Sequence, residues 1–172
     1  MAAAVVSGAV ALAAPAQAAS APFTSRSPFL IRNVLTDMCA DLPGTGAGTE
    51  GGPVNQWDCR PGSGDNQRWW FLSRNDTGRA FAIMNDRDQM CLDVPGTGAV
   101  PAGTPVSEYR CLVGERDNQM FRAIGGRHGF LLRHERTGFC LDVDGVDGEG
   151  GRDARLTLWP CDRQDDHIWT IG

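Results

Sequence analysis

The chain has 172 residues, and its 16 basic residues, all arginine, face 21 acidic residues, which gives a formal net charge of −5. This length suits one domain with a hydrophobic core. The acidic balance argues against nucleic acid as a partner, which requires a clustered basic surface, and against docking on an anionic membrane, which requires a polybasic patch.

The N-terminal residues 1–19 are predicted to be a secretory signal peptide. An apolar, alanine-rich run is followed by Ala16-Gln17-Ala18, which has the small-x-small pattern of a cleavage site. A disordered alanine-rich leader is the alternative. Residues 20–28 are predicted to form a short N-terminal arm, and no later segment is long and apolar enough to span a bilayer. We therefore expect a secreted, extracellular product without membrane insertion.

The rest of the chain is three copies of one unit of about fifty residues. Each copy has a pair of cysteines separated by 20 or 21 residues, and an aromatic residue ten positions before the first cysteine. The repeats are assigned to residues 29–80, 81–129 and 130–172. The aromatic residues are Phe29, Phe81 and Phe130, and the cysteines are Cys39, Cys59, Cys91, Cys111, Cys140 and Cys161.

Each unit contains short runs with β-strand composition, separated by Gly, Pro, Asn and Asp. In the first unit these runs are residues 29–33, 40–42, 54–59 and 68–72. No segment shows a sustained helical period of apolar residues. The pattern predicts an all-β fold, and three similar units without a long solenoid period favour closure around a pseudo-threefold axis.

The cysteines are predicted to form disulfides and to bind no metal. Export and an even cysteine count favour disulfides, and no C-x-x-C spacing suggests zinc. No cofactor is expected. The histidines are scattered without a nucleophile motif, so a hydrolytic triad is not predicted.

The repeats resemble those of the ricin-B type lectins, which carry a Q-x-W signature. The signature is present as Gln67-Arg68-Trp69, is altered to Gln119-Met120-Phe121, and remains in part as His167-Ile168-Trp169. The resemblance covers the chain from Phe29 to Gly172 and implies a single β-trefoil domain. It also implies that the signature aromatics lie in the core, and that the disulfides are Cys39–Cys59, Cys91–Cys111 and Cys140–Cys161.

The resemblance also implies one sugar site in each repeat. An Asp two positions after the first cysteine would accept hydrogen bonds from sugar hydroxyls, and an aromatic two positions before the second cysteine would stack on the ring. An Asn before the signature Gln, and a polar residue four before the second cysteine, would complete the contacts. The matching residues are Asp41, Asn55, Trp57 and Asn66 in the first repeat, Asp93, Ser107, Tyr109 and Asn118 in the second, and Asp142, Thr157 and Trp159 in the third.

Two features depart from this pattern. Asp166-His167 replaces Asn-Gln in the third repeat, which puts that site in doubt. Gln56 and Glu108 stand where an inward apolar residue is expected, and only Leu158 keeps the expected type. For any one Asp, formation of an Asx turn is the alternative to ligand binding.

The sequence therefore predicts a secreted, non-enzymatic lectin with up to three shallow sites, and the family resemblance implies that it binds galactose-type sugars or xylan-like glycans. A glycosidase with paired carboxylates would need two acids facing one cleft, and the repeat pattern supplies one per site. The alternatives are a protease inhibitor or other protein-binding trefoil, which would use an exposed loop such as residues 43–52 or 95–103. A further alternative is the targeting subunit of a separately encoded toxin or glycosidase.

Overall fold

The computed structural model describes residues 25–172 except residues 63, 74–79, 113–117, 127 and 146–148. The signal peptide prediction lies outside the described residues, as does most of the arm. The strands are β1 (Phe29–Asn33), β2 (Cys39–Asp41), β3 (Asn55–Trp57), β4 (Arg68–Ser73), β5 (Phe81–Asn85), β6 (Met90–Asp93), β7 (Thr104–Pro105), β8 (Ser107–Arg110), β9 (Phe121–Gly126), β10 (Gly129–His134), β11 (Cys140–Val143), β12 (Leu156–Trp159) and β13 (Ile168–Ile171). Within the described residues no helix is long and apolar enough to cross a membrane.

Six of these strands close into an antiparallel barrel. The pairs run β1–β4, β4–β5, β5–β9, β9–β10, β10–β13 and back from β13 to β1. Each repeat contributes its first and last strand to the barrel. Closure leaves no open edge in this ring, which is how antiparallel sheets avoid unpaired backbone groups.

Six of the seven remaining strands form one hairpin per repeat, and the short strand β7 pairs with β12 of the third repeat. These hairpins are β2–β3, β6–β8 and β11–β12. A barrel of six strands with three equivalent hairpins is a β-trefoil, so the predicted fold class is confirmed.

Each hairpin is closed by one disulfide at its base. The bonds join Cys39 to Cys59, Cys91 to Cys111 and Cys140 to Cys161, with Cα–Cα distances of 5.0, 4.9 and 4.9 Å. These are the three pairs that the family resemblance implies. Closing a loop of this length stabilises a chain by about 3 kcal/mol in the chain-entropy picture.

The core lies between the barrel and the hairpins, and the signature aromatics are part of it. Trp69, Phe121 and Trp169 are fully buried. The two indoles also satisfy hairpin carbonyls, since Trp69 Nε1 donates to Ala40 O over 3.1 Å and Trp169 Nε1 donates to Leu141 O over 3.0 Å. Each of these two tryptophans therefore ties the barrel to the hairpin of its own repeat.

Neighbouring repeats are joined by the loop that precedes the last hairpin strand. Gly51 N donates to Glu108 O over 2.7 Å, Gly103 N to Leu158 O over 2.8 Å, and Asp153 N to Gln56 O over 3.0 Å. The three donors occupy the same repeat position and have φ values of 77°, 79° and 64°. Glycine accepts this left-handed conformation without steric cost, and Asp tolerates it better than most residues. Each loop is thus placed beside the hairpin of another repeat.

Candidate functional site

Each repeat has a surface depression beside its hairpin. The cavity volumes are about 310, 500 and 320 Å³ for the first, second and third repeats. Each depression is lined by the predicted Asp and the predicted aromatic of its repeat: Asp41 and Trp57, Asp93 and Tyr109, and Asp142 and Trp159. The structure therefore brings together the central pair of residues predicted for every repeat.

Strand pairing places the Asp opposite the predicted polar residue. Asp41 is opposite Asn55, Asp93 opposite Ser107, and Asp142 opposite Thr157. The acids are 4, 8 and 2 % exposed, so each carboxyl group lies at the floor of its depression. In the third repeat, Thr157 Oγ1 donates to Asp142 Oδ2 over 2.6 Å.

The signature glutamine orients the acid in the first two repeats. Gln67 Nε2 donates to Asp41 Oδ1 over 2.9 Å, and Gln119 Nε2 donates to Asp93 Oδ1 over 3.1 Å. Each glutamine is held by the backbone: Arg60 N donates to Gln67 Oε1, and Leu112 N donates to Gln119 Oε1, both over 2.7 Å. The amide group therefore cannot flip without losing its contacts, and it fixes the carboxylate. Sequence reasoning did not assign these glutamines a role in the site, although their repeat position next to a core aromatic marked them.

His167 takes the place of the glutamine in the third repeat. Asp162 N donates to His167 Nδ1 over 3.0 Å, so the ring proton lies on Nε2, which is 2.8 Å from Asp142 Oδ1. The imidazole thus accepts from the backbone and donates to the acid, as the glutamine amide does. Asp142 is therefore oriented by a side-chain donor even though the third repeat lacks the Asn-Gln pair.

The three aromatic residues differ in exposure. Trp159 is 44 % exposed, whereas Trp57 and Tyr109 are half-buried. The Arg152 guanidinium lies 5.7 Å from the centre of the Trp57 ring, and that of Arg110 lies 5.2 Å from the centre of the Tyr109 ring. Such cation–π contacts hold an aromatic ring in place on a surface.

In the first two repeats, the asparagine before the signature glutamine donates hydrogen bonds to the loop that follows the first hairpin strand. Asn66 is 1 % exposed, and its Nδ2 donates to Gly44 O over 3.3 Å and to Gly46 O over 3.0 Å. Asn118 is fully buried, and its Nδ2 donates to Gly98 O over 3.0 Å. Neither residue lines its depression. Their amides hold the loop that forms the wall, and direct contact with a sugar stays a prediction. Asn55, 7 % exposed, likewise does not line the first depression.

Additional residues reach the depressions from other repeats. Asp153 lines the first depression, Gly51 and Arg155 line the second, and Gly103 lies against Trp159 in the third. The third depression is also lined by Asp162 and Asp165. The expectation of one acid per site is therefore wrong for the first and third repeats. That expectation considered each repeat alone and mainly its hairpin. Asp153 reaches the first depression because the repeats pack against each other, and Asp162 and Asp165 come from the loop that precedes β13.

Burial changes the acidity of two carboxyl groups. It raises the pKa of Asp41 to about 6, although the hydrogen bond from Gln67 opposes the change. Burial also raises the pKa of Asp166 to about 7, with a further contribution from the hydrogen bond and the charge of Asp142. Asp166 occupies the position of Asn66 and Asn118. Its Oδ1 accepts from Val143 N over 3.4 Å, just as Asn66 Oδ1 accepts from Leu42 N.

A group of polar side chains meets in the third repeat. One ligand atom from each of Asp142, Asp165, Asp166 and His167 lies within 4.8 Å of the others. His167 and Thr157 both hydrogen-bond to Asp142, and Asp166 N donates to Asp165 Oδ1 over 2.9 Å, so hydrogen bonds account for the close approach. We therefore assign this cluster as a hydrogen-bonded network.

Buried polar pairs explain Gln56 and Glu108. Thr36 Oγ1 donates to Gln56 Oε1 over 2.7 Å, and Gln56 Nε2 donates to Gly150 O and Gly151 O of the third repeat. Glu108 is fully buried beside Asp88, and its pKa is raised to about 8 by burial and then by the charge and hydrogen bond of Asp88. Gln56 thereby contacts the third repeat, and the Glu108 side chain lies against Gly48 of the first repeat, so both serve the contact between repeats.

The fold and the site define a three-lobed β-trefoil with an oriented acid and an aromatic residue in each lobe. Two family models match the chain: "Ricin-type beta-trefoil lectin domain-like" over residues 22–109 and "Ricin-type beta-trefoil lectin domain" over residues 79–172. The chain belongs to the ricin-type β-trefoil lectin family. A search of curated protein sequences found no match.

Solved structures show the same fold at low sequence identity. ThreeFoil, a designed threefold-symmetric protein, is 18 % identical with a TM-score of 0.72, over 84 % of this chain and 96 % of that one. The Macrolepiota procera ricin B-like lectin in complex with lactose is 20 % identical with a TM-score of 0.63, over 89 % and 96 %. The Clostridium thermocellum exo-β-1,3-galactanase 1,3Gal43A is 16 % identical with a TM-score of 0.73, over 86 % of this chain but only 30 % of the enzyme.

Proposed function

We propose that the chain is a secreted, non-enzymatic lectin that binds galactose-type sugars or xylan-like glycans at up to three shallow sites. The observation that carries the proposal is the repeated pair of a buried, oriented Asp and a partly exposed aromatic at one depression. In every repeat a side-chain donor, from Gln67, Gln119 or His167, orients the acid.

This arrangement matches the chemistry of a sugar ring. A pyranose presents an apolar face of C–H groups, which an aromatic ring can cover, and an edge of hydroxyls, which a fixed carboxylate can accept from. The lactose named for the Macrolepiota lectin supports a galactose-type ligand. Weak single sites would act together on a polymer, because linked sites raise the effective concentration.

A glycan array followed by titration calorimetry tests this proposal. The parent protein is compared with a triple variant, Trp57→Ala, Tyr109→Ala and Trp159→Ala, whose fold is verified by circular dichroism. We expect the parent to bind terminal galactosides or xylan fragments and the folded variant to lose binding. A folded parent that binds no glycan at millimolar concentration contradicts the proposal.

Three further assays on the same protein preparation distinguish the alternative functions. Glycosidase activity on galactans and xylans would support an enzyme, because Asp41 and Asp153 both line the first depression. Inhibition of a protease panel would support the protein-binding alternative. Co-purification with a second secreted chain would support a targeting subunit. We expect glycan binding without either activity.

A further inference from the structure

Arg155 occupies a position that is proline in the other two repeats. Pro53 and Pro105 stand at the equivalent places. The backbone of Arg155 pairs with Asn55 of the first repeat, yet its side chain extends to the second repeat, where Nη2 donates to Val106 O over 3.0 Å. Arg155 therefore lines the second depression, together with Asp93 and Tyr109.

The guanidinium of Arg155 makes no ion pair with a carboxylate of the described residues, and the charge of Asp144 acts on it only from beyond ion-pair distance. Among the same residues, its Nε is buried without a hydrogen-bond partner. Other arginines beside the depressions are paired: Arg60 with Asp65, Arg110 with Glu50 and Arg152 with Asp58. Burial lowers the pKa of Arg155, but an arginine stays protonated at neutral pH. A partly buried positive charge is costly unless something pairs with it.

The second depression also offers more room than the others. Its volume is about 500 Å³, against about 310 and 320 Å³. Its wall includes Pro105 and Leu112 as well as Tyr109, and the described lining residues combine an apolar surface with the acid Asp93 and the cation Arg155. A ligand that carries both hydroxyls and one negative substituent would contact Asp93 and pair with Arg155 in one orientation.

We propose that the depression of the second repeat selects an acidic sugar, a hexuronate, whose carboxylate binds Arg155 while its hydroxyls donate to Asp93. The planar fork of a guanidinium matches a carboxylate, and such charge-assisted pairs are about twice as strong as neutral hydrogen bonds. Asp93 repels the carboxylate and so orients the acidic end of the ring toward Arg155. This inference rests on the proposed function, because it uses the same depression as a sugar site.

The test uses the full chain with the first and third sites disabled by Trp57→Ala and Trp159→Ala. Calorimetry compares two ligand pairs, galactose with galacturonate and xylose with glucuronate, as methyl glycosides. We expect the acidic member of at least one pair to bind about tenfold more tightly, which corresponds to about 1.4 kcal/mol. Arg155→Gln should remove this preference, whereas Arg155→Lys should keep part of it.

Equal affinity for both members of each pair overturns the inference but leaves the lectin proposal intact. So does a preference that survives Arg155→Gln in a protein with unchanged melting temperature. If Arg155→Gln does not fold, Arg155→Pro, which restores the residue of the other repeats, takes its place. Absence of binding to any neutral or acidic sugar contradicts the proposed function itself, and the inference fails with it.

Discussion

His167 contacts Asp142 through Nε2 and Oδ1 over 2.8 Å, in the position where Gln67 and Gln119 meet the acids of the first two repeats. Each donor is anchored by the backbone N–H of the residue directly after the second cysteine of its repeat. These anchoring residues are Arg60, Leu112 and Asp162. Two side chains of different chemistry therefore perform one geometric task, which is to present a hydrogen-bond donor to the acid and an acceptor to the loop.

The first prediction concerns this contact in a protein whose third site alone is intact, through Trp57→Ala and Tyr109→Ala. His167→Ala should reduce affinity for the preferred sugar about tenfold or more, because a hydrogen bond to a charged group contributes about 1.5–3 kcal/mol. His167→Gln should retain affinity within about threefold, since the glutamine of the other repeats makes the same pair of contacts. Calorimetry on the folded variants measures both. Equal loss in the two variants would show that orientation of Asp142 does not determine binding.

The second prediction is a pH dependence at the first site, tested with Tyr109→Ala and Trp159→Ala. Asp41 must be ionised to accept from two hydroxyls, and its pKa is about 6. Affinity should therefore be constant above about pH 7 and fall as pH decreases through 6, by up to about tenfold per unit once the carboxyl is protonated. Titration at several pH values gives the profile. Asp41→Asn is the control and should bind weakly at every pH, and a flat profile in the parent would argue against Asp41 as the acceptor.

Much of the fold was predictable because the information is repeated three times. The cysteine spacing, the aromatic ten residues upstream and the turn residues recur in register, and the strands from β1 at Phe29 to β13 follow that register. The pairing of the acid with the aromatic two positions before the second cysteine was implied by the family resemblance. Both features depend on local sequence and on one hairpin.

The remaining parts of the site depend on contacts between repeats, which no single repeat encodes. Asp153 and Arg155 reach depressions of other repeats because a loop packs against a neighbouring hairpin. The role of His167 was hidden for a different reason: residue identity changed while the hydrogen-bond geometry did not. Asn66 holds two loop carbonyls through its side-chain amide, a structural task that the sequence did not predict, and its contact with the ligand stays a prediction.

The third prediction is that Asp166→Asn stabilises the protein above neutral pH. Asp166 stands where the other repeats have an amide, and its pKa is raised to about 7 from an ordinary value of 3.8. The folded state therefore binds this proton more tightly than the unfolded state, so the free energy of unfolding falls as pH rises from about 4 to 7. The variant should be more stable than the parent at pH 8, on the order of 2 kcal/mol, and similar at pH 4. Urea unfolding at both pH values measures the difference, and parallel pH profiles would contradict it.

The fourth prediction concerns Glu108, the buried acid at the position that Gln56 occupies in the first repeat. Gly48 N donates to Asp88 Oδ2 over 2.8 Å and Met90 N donates to Asp88 Oδ1 over 2.9 Å, so Asp88 acts as an acceptor and Glu108 beside it retains its proton. The pKa of Glu108 is raised to about 8 from 4.5, and the free energy of unfolding should therefore fall as pH rises from about 4.5 to 8.

Glu108→Gln keeps a donor for Asp88 and removes the titration. We expect this variant to be more stable than the parent at about pH 9, on the order of 2 kcal/mol, with little difference near pH 4.5. Glu108→Leu, which introduces the residue type that Leu158 supplies in the third repeat, is the matched control. It also removes the titration but places an apolar group beside the Asp88 carboxylate, so it should gain less. Thermal unfolding followed by circular dichroism across this pH range measures all three proteins. If the parent loses no stability relative to Glu108→Gln between pH 5 and 9, Glu108 is not the proton-binding group at the joint between the first two repeats.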